Sequence, residues 1–217
     1  MKGLLRDNFY TVYANEKVFF VVVFLVGIVV AAVIPDAGNF IRNYMLICLV
    51  GFSYVALDSL RKDASCKWEK YKLIVPVTRA DIVRTSYVGE VIWAIAGALF
   101  ASVPVGLSVW IHGYPFDLST DILLIYIIGI SIDFFMGAVF FPLFYLRGGE
   151  GKEASLFISL ISAVAAAVGL VYLLNYLFGP EMTSAMIVLS GFIILICAVL
   201  ILGLSYFLTV GIFTKKE

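Results

Sequence analysis

Six long apolar stretches, separated by short polar ones, organise this chain. They cover residues 18–34, 40–60, 85–111, 121–146, 154–178 and 183–213. Each approaches or exceeds the roughly 17–25 residues that a helix needs to cross about 30 Å of hydrocarbon. Within each stretch the apolar positions are continuous rather than alternating, so the pattern predicts helices and not the strands of a barrel. The fourth stretch contains Asp133 and Pro142 and also reads as two short segments. A continuous helix is the default there, because a chain in lipid must satisfy its backbone groups internally. The predicted fold class is therefore an all-α integral membrane protein with six transmembrane helices, forming one domain over residues 1–217 with no internal repeat.

The polar connections add an orientation. Lys2, Arg6 and Lys17 precede the first span, and Arg61, Lys62, Lys67, Lys70, Lys72, Arg79 and Arg84 lie between the second and third. Arg147 and Lys152 lie between the fourth and fifth, and Lys215 and Lys216 close the chain. With six spans all of these fall on one face, and of the 15 basic residues only Arg42 falls on the other. Basic loops stay in the cytoplasm, which predicts both termini there. Five or seven spans would scatter the same charges over both faces. The opposite loops are short and rich in Gly and Pro, which leaves little room for an external domain.

Composition agrees with the periodicity and narrows the function. The chain is 63% hydrophobic and 14% charged, against about 45–50% and 25% in soluble domains. Its net charge of zero argues against a nucleic-acid role, which needs a concentrated basic footprint. Cys48, Cys66 and Cys197 show neither paired spacing nor CxxC, which argues against a disulfide framework or a zinc site. The polar start, with Asp7 and Glu16, is unlike the short basic start of a cleaved signal peptide. The one histidine, His112, has no ligand partner in motif spacing and reads as a solvated turn residue.

Two polar segments carry more information than the spans. Residues 1–17 place Leu5, Phe9, Val12, Tyr13 and Glu16 at helical spacing, the pattern of an amphipathic helix lying in the membrane interface. A frayed tail is the bland alternative. Residues 61–84 form a cytoplasmic loop in which 68–75 makes a short helix with Trp68, Tyr71 and Val75 on one side. Pro76 ends it. Thr78, followed three residues later by Asp81, is a capping box that starts a new helix leading into the third span.

The run Trp68-Glu69-Lys70-Tyr71, four residues, then Pro76-Val77-Thr78-Arg79, two residues, then Ile82-Val83 resembles the equivalent loop of short type-2 ABC transporter permeases. The resemblance implies that the loop carries a coupling helix, docked in a groove of a separate ATP-binding-cassette ATPase subunit. Trp68, Glu69, Lys70, Tyr71, Leu73, Pro76 and Arg79 would then make that contact. It also implies a second permease chain, as homodimer or close heterodimer, and places the protein in a bacterial cell membrane. The amphipathic start resembles the family's connecting helix. Small permeases of this kind include exporters of amphipathic peptides such as phenol-soluble modulins and bacteriocins. The expected role is thus export of an amphipathic or hydrophobic substrate, with ATP and Mg held by the partner and no cofactor bound by this chain. No GxxxxGK[ST] is present, and Gly148-Gly149-Glu150-Gly151-Lys152 lacks both its spacing and its hydroxyl residue.

Within the spans, Asp133 shares a helix face with Gly129 and Gly137 at i, i+4, i+8 spacing. A carboxylate near mid-bilayer costs about 2.5–3.5 kcal/mol on insertion scales, so Asp133 should face protein or water, and the glycines allow close helix packing. It reads either as a pathway or gating acid or as a structural acid joining two helices. Glu90 lies nearer the cytoplasmic side, within reach of water or a base. Trp93 and Trp110 bracket the third span like an aromatic belt. Two other functions stay open on the residues alone. One is a non-transporting membrane anchor or sensor that holds a cytosolic partner by the same loop. The other is a membrane-embedded enzyme, although the clustered polar groups it requires are missing.

Overall fold

The computed structural model describes residues 2–33, 38–65, 78–114, 120–147, 152–179 and 183–215. Six helices fill them: α1 (Lys2–Val33), α2 (Gly38–Ser65), α3 (Arg79–His112), α4 (Asp121–Arg147), α5 (Lys152–Phe178) and α6 (Ser184–Lys215). All six are long and apolar enough to cross a membrane. Pro104 and Pro142 both lie inside helices that continue past them, a tolerance common in membrane spans, where neighbouring groups re-satisfy the freed carbonyl. The fourth stretch is therefore one helix and not two segments. Two helix ends are closed by glycine at positive φ, a backbone setting that side chains rarely adopt. Gly113 (φ 81°) and Gly179 (φ 82°) donate their N–H groups to Val109 and Asn175 at 3.0 and 3.1 Å.

The start of the chain differs from expectation. Residues 2–17 are not a separate element but the first half of α1, since no glycine or proline lies between Gly3 and Gly27 to break it. At 1.5 Å per residue this helix is about 48 Å long, well beyond the roughly 30 Å of hydrocarbon. Its amphipathic strip turns partly to protein: Val12 is buried beside Phe52, Val55, Ala56 and Trp93.

The centre of the bundle is α4, which touches α2, α3, α5 and α6. Its Phe135, Phe140, Phe141 and Phe144 pack with Tyr87 of α3, Leu156 and Ala163 of α5, and Ala198 and Leu202 of α6. These phenylalanines fill the core. Ile41, Met45, Val105 and Ile125 form a smaller apolar plug toward the α1–α2 and α3–α4 turns. Close approach depends on glycines. A methyl on Gly97 would lie 3.0 Å from the Cys48 carbonyl oxygen and 3.1 Å from Phe52 Cβ. The outer faces of α1, α5 and α6 expose Leu25, Val29, Tyr172, Leu200, Leu204 and Phe207, side chains that lipid can cover.

Candidate functional site

Two constellations stand out, one at the end of the bundle that carries the basic loops and one in its interior. The first surrounds the chain as it leaves α2 and enters α3. Arg61 binds Asp58 at 2.6 Å and reaches Glu153 of α5 at 3.1 Å. Lys62 binds Asp58 at 3.1 Å and also pairs with Glu16 of α1. Exposed ion pairs contribute about 0–1 kcal/mol each, but here Asp58 and Glu16 are mostly buried and the pairs link three helices. The i+3 and i+4 spacing of Arg61 and Lys62 from Asp58 was readable in the sequence. Their bonds to Glu16 and Glu153 had no local signal.

On the returning side, the capping box is present in full. Thr78 Oγ1 accepts from the Asp81 N–H at 3.1 Å, and Asp81 Oδ2 accepts from the Thr78 N–H at 3.3 Å. The box starts α3 itself, so helix and third span are one element. Arg79 Nη1 donates to the Phe213 carbonyl at 3.1 Å, with its guanidinium 5.7 Å from the Phe213 ring. Both feet of the loop are therefore fastened: one to α1 and α5, the other to the end of α6. Trp68, Glu69, Lys70, Tyr71, Leu73 and Pro76 lie outside the described residues.

The second constellation pairs two acids that lie on different helices. Glu90 of α3 is 2% exposed and Asp133 of α4 is 1% exposed, with their carboxyl groups beside one another. Glu90 thus reaches neither water nor a base, contrary to expectation. The small residues decide this. Gly137 leaves room for Glu90, whose Cγ and Oε1 would stand 3.3 Å from a methyl there. Gly129 presses on Leu49 of α2, whose Cβ would be 3.0 Å from a methyl. Ser53 of α2, fully buried, borders Asp133 from the third side. Glu90 Oε1, both Asp133 oxygens and Ser53 Oγ close no hydrogen bond. Toward the basic end, Tyr87 Oη lies 2.8 Å from both Ser205 Oγ and Thr209 Oγ1, and Ser205 donates to the Ala138 carbonyl at 2.6 Å. Ser86 and Tyr145 hydroxyls meet at 3.1 Å.

Trp93 is also misjudged by its position. Its ring stacks on Phe9 and Phe20 at 5.5 and 5.8 Å and is 6% exposed, inside the α1–α2–α3 cluster. Asn8 accepts its indole N–H at 3.3 Å. Trp110, by contrast, is 83% exposed, as a belt residue should be. A groove of about 830 Å³ opens between α4, α5 and α6 near Gly179, lined by Leu124, Val171, Tyr176 and Ile194 with Asn175 and Ser190 among them. It shares no lining residue with the acid pair.

The sequence that builds these helices matches a known family. Residues 3–214 match the model of the ABC-2 family transporter protein. The chain belongs to that family. This permease is accordingly a multi-pass cell-membrane component of an ABC-type transporter, and it is not itself an enzyme. Among the described residues no group of three or more His, Cys, Asp or Glu side chains is placed to hold a metal ion. No curated protein and no solved structure matches the chain.

Proposed function

We propose that this permease forms the translocation pathway of an ABC exporter for an amphipathic or hydrophobic substrate of the peptide class, driven by a separate ATPase subunit. Family membership supports the transporter role. The observation that carries the coupling is the fastening of both loop feet, by Arg61 and Lys62 on one side and Arg79 on the other. A push on residues 68–76 then passes directly into α1, α2, α3, α5 and α6. Trp68, Glu69, Lys70, Tyr71, Leu73 and Pro76 form the docking surface, with Arg79 at its base. ATP and Mg bind the partner, and a second permease chain completes the pathway. Both termini lie in the cytoplasm, and the first turns of α1 carry that span out of the hydrocarbon on the same side. Gly129 and Gly137 let the helices approach closely around Glu90 and Asp133.

The test is co-expression and co-purification with a candidate ATP-binding-cassette subunit. The wild-type permease is expected to retain it. Trp68→Ala with Tyr71→Ala is expected to weaken retention at least tenfold, while thermal stability in detergent stays unchanged. Equal retention by both proteins sinks the docking assignment.

A further inference from the structure

We infer that Glu90, Asp133 and Ser53 together form an intramembrane site for one small monovalent cation, a hydrogen ion or an alkali-metal ion. The inference is independent of the coupling reading and rests on the bundle interior alone. Two carboxyl groups from α3 and α4 share one buried position, and the Ser53 hydroxyl closes it from α2. Four of their oxygens lack a hydrogen-bond partner although all three residues are almost completely buried. Such groups are ordinarily satisfied, so this concentration of open acceptors points to something positive that they hold.

Among the described residues the neighbours supply no counter-charge. Facing the site are Gly137 of α4 and, one turn along α3, Tyr87 with Ser205 and Thr209 of α6; these are neutral. Charge balance inside the bundle therefore requires a bound ion, because two adjacent carboxylates left bare in a dry interior repel one another. The surroundings are also asymmetric. Hydroxyl groups continue from Glu90 toward the basic end through Tyr87, Ser205 and Thr209. Toward the other end lies the apolar plug of Ile41, Met45, Val105 and Ile125. The ion accordingly exchanges with the basic end of the molecule. When it is bound, α2, α3 and α4 pack around a neutral centre; when it leaves, the carboxylates drive them apart.

Thermal unfolding of the whole permease in nanodiscs tests this, comparing the wild type with Glu90→Gln/Asp133→Asn across neutral to alkaline pH. The only salt is choline chloride, and then sodium chloride at equal ionic strength. A ligand bound only by the folded state stabilises by mass action. If the ion is hydrogen, the wild-type midpoint falls relative to the variant by about 3 °C for each tenfold loss of hydrogen ion. If it is an alkali-metal ion, sodium removes that fall and choline does not. Parallel curves in every condition overturn the proposal. Should the double variant fail to fold, infrared difference spectra of the wild type serve instead. A carboxyl band that responds to pH or sodium and is lost in Asp133→Asn upholds the site. No such band overturns it.

Discussion

Trp93 and Trp110 read in the sequence as the two ends of the third span, where an indole ordinarily marks the boundary between lipid and water. Yet Trp93 lies about midway along α3. Its ring is instead held by Phe9 and Phe20, with Asn8 accepting its N–H. Position along a span is visible in a sequence, but the face a side chain presents depends on which helix becomes its neighbour. The same limit hid the partnership of Glu90 with Asp133, which lie on different helices with no shared spacing to link them. Trp93→Ala leaves a cavity among three helices and is expected to cost about 3–5 kcal/mol, as large aromatic truncations do in packed cores. Trp93→Phe should recover more than half of that, and Trp110→Ala, on an exposed indole, should cost little. Unfolding of the detergent-solubilised permease by a denaturing surfactant ranks the three. Equal losses at Trp93 and Trp110 contradict the cluster.

At the scale of elements, the packing of α2 against α3 depends on one glycine. A methyl on Gly97 meets the Cys48 carbonyl oxygen at 3.0 Å, and a backbone atom cannot swing aside. Gly106 lies on the same helix with nothing within 4 Å. Gly97→Ala is therefore expected to cost about 1–3 kcal/mol by overpacking, while Gly106→Ala is neutral or slightly stabilising because alanine favours the helix. The same unfolding measurement distinguishes them, and a larger loss at Gly106 would contradict this packing. The start of α3 offers a second check. Thr78→Ala removes the cap side chain and is expected to cost about 0.5–2 kcal/mol, seen as faster amide exchange in the first turn of α3. Unchanged exchange there argues against the cap. That box was legible in the sequence because its residues are three apart and its two bonds close between them. The ties of Arg79 to Phe213 and of Lys62 to Glu16 cross the whole fold, so no local pattern records them.

For the whole molecule, the number of spans was legible because hydrophobic length alone sets it, and the helices reproduce all six stretches. Orientation is a different kind of statement, since it depends on which aqueous face the basic loops occupy. Fourteen of the 15 basic residues sort to one end when six spans alternate, which is why the positive-inside rule gives a definite answer here. The native cysteines make it measurable. Cys66 belongs to the basic loop, Cys48 is buried in α2 and Cys197 lies at membrane depth in α6. A membrane-impermeant maleimide should therefore label one thiol per chain in inside-out vesicles and none in intact cells. Cys66→Ser should abolish the label. Labelling of Cys66 from outside intact cells would reverse the orientation and remove the loop from any cytosolic ATPase. It would leave the helix packing untouched, because those contacts do not depend on which side of the membrane holds the nucleotide.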